Sequence, residues 1–167
     1  GSNSLTIQKG GTVNVSAHCR NQCHPCQVWY LWCKVVSMDI IPLGHASFRL
    51  KGKSATVVTD PYDTQIVAYK FPKNTTAHIV TVSHAHPDHN FTKAVTSEDG
   101  ELIVFSGPGE YEVRGVEISG IDSFHDDKEG ALRGKNTIFK FHIDGLTIVH
   151  LGDLGHLLTQ EQEELLD

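Results

Sequence analysis

Ala77-His78-Ile79-Val80-Thr81-Val82-Ser83-His84-Ala85-His86-Pro87-Asp88-His89 is the stretch on which the reading of this chain turns. Ala77–Val82 is a short, mostly apolar run of the kind a sheet buries on both faces. Three imidazoles and one carboxylate then fall within six positions, in a loop that leaves that strand. Neutral His nitrogens and an anionic Asp oxygen together suit Zn²⁺ or a similar divalent ion. His84 and His86 are two apart, so extended backbone points both the same way, toward one ion. Asp88 and His89 open an expected helix over Asp88–Thr96 and turn toward a second ion. The plain alternative is a polar surface loop with a chance His cluster. Four potential ligands at this spacing weigh against it.

Short strands with turn punctuation surround this stretch. Asp39–Leu43 and Ala46–Leu50 are strand-like, and Lys51-Gly52-Lys53 is a turn. Ser54–Thr59 alternates into a further strand that ends at Asp60-Pro61. Leu102–Phe105, Glu110–Val113 and Val116–Ile121 follow. Thr137–Ile143 and Leu146–Leu151 flank Asp144-Gly145, a strong hairpin signal. A helix is expected over Thr159–Leu166, capped by Thr159 with Gln162 at the capping-box position.

The chain has 167 residues, 14 Lys+Arg and 20 Asp+Glu, for a net charge of −6. That length suits one domain with a real core, and 39% hydrophobic with 20% charged residues excludes a disordered chain. The acidic balance argues against a nucleic-acid binder. No apolar run reaches the roughly 20 residues of a membrane span, and the absence of a secretory pattern favours the cytoplasm.

Character changes at Met38, the only Met. Residues 1–37 show little sustained periodicity, and Gly1-Ser2 looks like a scar of tag removal. The expected division is a foreign or upstream, mobile segment over 1–37 and a domain over 38–167. All four Cys lie in the first part, as Cys19, Cys23, Cys26 and Cys33. A small zinc site, disulfides and an incidental segment all remain open for them.

His84-x-His86-x-Asp88-His89 resembles the signature of the metallo-β-lactamase superfamily. Gly44-His45-Ala46-Ser47-Phe48, Thr59-Asp60-Pro61 and Gly107-Pro108-Gly109-Glu110-Tyr111 resemble its Zn-dependent hydrolase branch, which includes ascorbate-6-phosphate lactonase-like proteins. His125-Asp126 and His150-Leu151-Gly152-Asp153 match two further strand-end motifs of that family. The resemblance implies an α/β (α+β) fold, the αββα sandwich, with its first half nearly complete and its second half partial. It implies one or two Zn²⁺ ions, with Mn²⁺ or Fe²⁺ as substitutes. His84, His86 and His125 would hold the first, Asp88 and His89 the second, and Asp153 would bridge.

On this resemblance the protein is a hydrolase that uses a metal-bound hydroxide on a small ester, lactone or phosphoester. The catalytic candidates are Asp88 and His45; His45 reads either as facing substrate at the mouth of the site or as a structural polar contact. The family's final metal-binding His, beyond the bridging Asp, has no counterpart before Asp167, and His156 lies too close to Asp153. A truncated metal-binding domain with little turnover is therefore the alternative, and a nuclease of the same fold is a further one. Either a homo-oligomer that covers the partial face or a marginally stable monomer is expected as well.

Asp60 reads either as a partner that orients metal-binding His residues or as a turn Asp before Pro. His150 reads as a buried hydrogen-bonding residue. His18, His24, His78 and His142 belong to no constellation.

Overall fold

The computed structural model describes residues 2–7, 13–18 and 36–167, with side chains from Ser37 onward. The strands in chain order are β1 (Ser2–Ile7), β2 (Val13–His18), β3 (Val36–Gly44), β4 (Ser47–Lys51), β5 (Thr56–Thr59), β6 (Thr76–Ala77) and β7 (Ile79–Val82). β8 (Thr96–Ser97), β9 (Ile103–Ser106), β10 (Gly109–Val113), β11 (Val116–Phe124), β12 (Lys135–Ile143) and β13 (Leu146–His150) follow. A single α-helix among the described residues, α1 (Gln160–Leu166), closes the sequence.

Two sheets face each other. One has the order β1-β2-β3-β4-β5-β7-β9, the other β10-β11-β12-β13, and β6 pairs separately with β8. β5, β7 and β9 run parallel, while β10 to β13 form an antiparallel meander. These are the two central layers of the expected sandwich.

Period-two alternation divides the core. Met38, Leu50, Val57 and Ile79 of the first sheet pack against Val116, Ile118, Phe139, Phe141 and Ile143 of the second. Each such fully buried side chain contributes about 1.5–3 kcal/mol. Val58 and Val80 point the other way, into a second cluster with Tyr62, Phe71 and Val95 beneath the 60–77 and 91–95 segments. β5 and β7 are therefore buried on both faces, as their apolar runs predict.

Several expectations change. The strand over Ala77–Val82 breaks at His78, whose Nδ1 accepts the Thr56 N–H at 3.0 Å. No α-helix forms over Asp88–Thr96; a 3-10 turn at Thr92–Ala94 stands in its place. The backbone is held elsewhere. Phe91 N–H donates to Pro61 O, the Asn90 amide donates to Ala85 O, and β-branched Thr92, Val95 and Thr96 favour helix weakly.

β1 and β2 were not expected. They pair with each other and β2 pairs with β3, and the alternation Val13-Asn14-Val15-Ser16-Ala17 is the signal that marks β2. Cys19, Cys23, Cys26 and Cys33 lie outside the described residues. At the other end, Thr159 caps α1 with a complete capping box to Gln162. No helix among the described residues is long and apolar enough to cross a membrane.

Candidate metal centre

Every candidate ligand sits at or just beyond the C-terminal end of a strand. His45 follows β3, Asp60 follows β5, and His84 to His89 follow β7. His125 follows β11, and Asp153 lies three residues beyond β13. Strand ends suit such work, because a rigid sheet aims them while their side chains stay free of the ladder.

The centre is built on Asp60. Asp60 and His89 are both 0% exposed. The Asp60 carboxylate accepts the Ser83 N–H at 2.7 Å and the Ser83 hydroxyl at 2.5 Å. It also accepts His89 Nδ1–H at 2.9 Å. A buried carboxylate without such donors would be costly; with three it becomes a rigid anchor. Its backbone sits at φ +41°, a conformation that Asp tolerates better than most residues.

This network assigns two tautomers. His89 gives its Nδ1 proton to Asp60, so its neutral ring has a bare Nε2. Ser83 spends its hydroxyl proton on Asp60, so its oxygen accepts from His84 Nδ1–H at 2.9 Å. His84 Nε2 is then bare as well, and it is buried with no hydrogen-bond partner. Burial, followed by the neighbouring His89 charge, pulls the His84 pKa down to about 4. His84 therefore stays neutral, the form that binds metal. Burial also lowers the His89 pKa, but the hydrogen bond and charge of Asp60 outweigh it, and the value lies above the ordinary one.

Two ligand groups converge here. His84, His86 and His125 each bring a ring nitrogen within 4.8 Å of the others, and His45, Asp88 and His89 do the same with two nitrogens and an oxygen. Asp153 stands between the groups. Its Oδ2 lies 3.0 Å from His125 Nε2 and 3.3 Å from His89 Nε2, as suits a bridging carboxylate. Burial raises the Asp88 pKa, but its own backbone N–H and the His89 and His45 charges reverse this, leaving it below the ordinary carboxylate value.

All six candidate metal ligands, His84, His86, Asp88, His89, His125 and Asp153, are thus brought together, with His45 beside them. Asp88 and His89 reach the site from an irregular loop instead of a helix. His150 Nε2 contacts Ala46 O at 2.9 Å, away from the ligands. His156 Nε2 accepts Phe124 N–H and takes no part. Two supporting residues escaped the sequence reading. One is Ser83. The other is Asn136, whose Oδ1 accepts Asp153 N–H at 3.0 Å while its amide donates to Leu151 O. Gly152, at φ +58°, makes this turn possible, since a Cβ there would strike Asn136 and Ser83.

The donor set fits a divalent metal. Imidazole nitrogens and carboxylate oxygens aim at common points, and the buried His84 Nε2 otherwise has no partner to offset its desolvation. Beside the His trio lies a cavity of about 600 Å³, whose walls include His84, His86, Asn90, Pro108, Arg133 and Lys135. That volume accommodates a small organic substrate.

The family model described as "Beta-lactamase superfamily domain" matches residues 39–167. A solved Thermotoga maritima structure, named for a Zn-dependent hydrolase of the metallo-β-lactamase superfamily, is 40% identical with a TM-score of 0.61. The match covers 77% of this chain and 56% of that one. A Parabacteroides distasonis structure, named for a metal-dependent hydrolase, shares the fold at 20% identity and a TM-score of 0.54, covering 72% of this chain and 62% of that one. The chain thus spans little more than half the length of these relatives. No curated protein matches it. With a family model over most of its length, two facing sheets and the ligand-bearing strand ends, the chain belongs to the metallo-β-lactamase superfamily.

Proposed function

We propose that this protein is a metal-dependent hydrolase acting on a small ester, lactone or phosphoester. The observation that carries the reading is the orphaned, buried Nε2 of His84, aimed with His86 and His125 at one point. His84, His86 and His125 hold one ion. Asp88 and His89 contribute to a second, with Asp153 between them. Divalent ions bound there supply an acidified water and a Lewis acid for a carbonyl or phosphoryl oxygen.

The chain's own residues do the rest. Asp60 fixes the His89 ring directly and the His84 ring through Ser83, so both present lone pairs without reorganisation. Asn136 holds the backbone of Asp153. Arg133 on the cavity wall favours a substrate with an anionic group, while Lys135 beside it is paired with Asp122 at 3.3 Å. Ser83, the serine that touches the ligands, is buried and gives its hydroxyl proton to Asp60 while accepting from His84, which makes it a support for the imidazole.

The test is a panel of esters, lactones and phosphoesters on the purified chain, with elemental analysis of the same sample. Hydrolysis that disappears with a chelator and returns with Zn²⁺ is expected. Hydrolysis that survives chelation, or a preparation that binds no divalent metal, would overturn the reading.

A further inference from the structure

We propose that His45 is a ligand of the second metal ion, in one donor set with Asp88 and His89. This rests on the two-centre reading above and names a ligand that it leaves unassigned.

Distances carry the assignment. His45 Nε2 lies 3.1 Å from His89 Nε2 and 3.2 Å from Asp88 Oδ2. His89 Nε2 lies 3.7 Å from Asp88 Oδ2 and 3.3 Å from Asp153 Oδ2. Donors about 2.0–2.2 Å from one tetrahedral ion stand about 3.3 Å from each other. The three contacts among His45, Asp88 and His89 scatter around that edge length, and Asp153 reaches the set through His89.

The chemistry agrees. His89 Nε2 is bare because its other nitrogen donates to Asp60, and Asp88 and Asp153 offer anionic oxygens. Without metal, the natural occupant of this cup is the Nε2 proton of His45, shared among acceptors. A cation in the same place satisfies every acceptor at once, and His45 then binds through Nε2 with its proton on Nδ1.

The local backbone is shaped for this side chain. His45 sits at φ +50° after Gly44 at φ +107°. A Cβ at Gly44 would strike the Tyr62 hydroxyl, which donates to Leu43 O at 2.9 Å. The Tyr62 ring also meets the His45 ring edge-on, with centroids 6.0 Å apart. A non-glycine residue in left-handed backbone is strained, and such strain concentrates at functional sites. A role facing substrate fits less well, because His45 does not line the cavity beside the trio.

The experiment compares the wild-type chain with His45→Asn, a residue that tolerates left-handed backbone. His45→Gln repeats the test with a side chain of closer reach. Metal-free protein is titrated with Zn²⁺, and Co²⁺ absorption reports coordination. The wild type is expected to bind two equivalents. Both variants are expected to keep the first at wild-type affinity and to bind the second at least about tenfold more weakly. A second ion bound by both variants as tightly as by wild type overturns the His45 assignment alone. Wild type that binds only one ion also overturns it, whereas wild type that binds none overturns the proposed function.

Discussion

The trio of His84, His86 and His125 draws two of its imidazoles from one loop, whereas His45, Asp88, His89 and Asp153 gather from three strand ends far apart in sequence. The trio carries no formal charge, and its strength lies in a lone pair already stripped of water at His84. The other set carries two carboxylates, Asp88 and Asp153, and attracts a cation by charge as well as by geometry. The first set thus relies on imidazoles, with one desolvated nitrogen at His84, and the second adds carboxylate charge. Asp60 serves both, holding His89 directly and His84 through Ser83.

The largest effect should come from His86→Ala. Ligands act as a set, so the variant should lose most metal from the trio and lower hydrolysis by more than about a hundredfold, beyond what a supporting partner costs. Elemental analysis with the substrate panel checks this; unchanged metal content would break the assignment of the trio.

Asp60→Asn should come next and should affect both sites. An amide facing His89 Nδ1 and Ser83 Oγ turns acceptors into donors and upsets both tautomers. Zn²⁺ affinity should fall about 10–100-fold at each site. Ser83→Ala sharpens the contrast, since it cuts only the branch to His84. It should weaken the trio by about tenfold and leave the second ion as in wild type. Equal weakening of both ions by Ser83→Ala would show that the branches are not separate.

The loop residues His84, His86, Asp88 and His89 were legible because they are neighbours in sequence, and the strand that precedes them announces itself as an apolar run. The strand-end motifs of His125 and Asp153 were legible through family resemblance. Supporting contacts were not. Nothing in the local sequence of Asn136 says that it will hold Asp153, 17 positions away. His45 stood out through its Gly44-His45 motif, but its contact with Asp88, 43 positions away, did not. The expected helix at Asp88 failed because the loop's polar groups found tertiary partners, a competition that local propensity cannot anticipate.

A carboxylate remote from both sites supplies the smallest effect. Asp144, in the β12–β13 turn, accepts Lys53 N–H and both the N–H and hydroxyl of Ser54. Burial raises its pKa, but these donors reverse that and leave it below the ordinary value. A carboxylate whose pKa is lowered on folding stabilises above its unfolded pKa, about 3.9. That stability is lost as pH falls through the folded value. Asp144→Ala should cost about 1 kcal/mol at neutral pH, with the difference from wild type shrinking in acid and metal content unchanged. Denaturant unfolding at two pH values measures it.

The central claim is that one cluster of strand ends holds two ions in two different ligand sets. Anomalous diffraction at the zinc edge, from crystals grown with Zn²⁺, tests it most directly. Two peaks are predicted, about 3.5–4 Å apart. One should lie among His84, His86 and His125, the other among His45, Asp88 and His89, with Asp153 between them. A single peak, or peaks away from these side chains, would contradict the account.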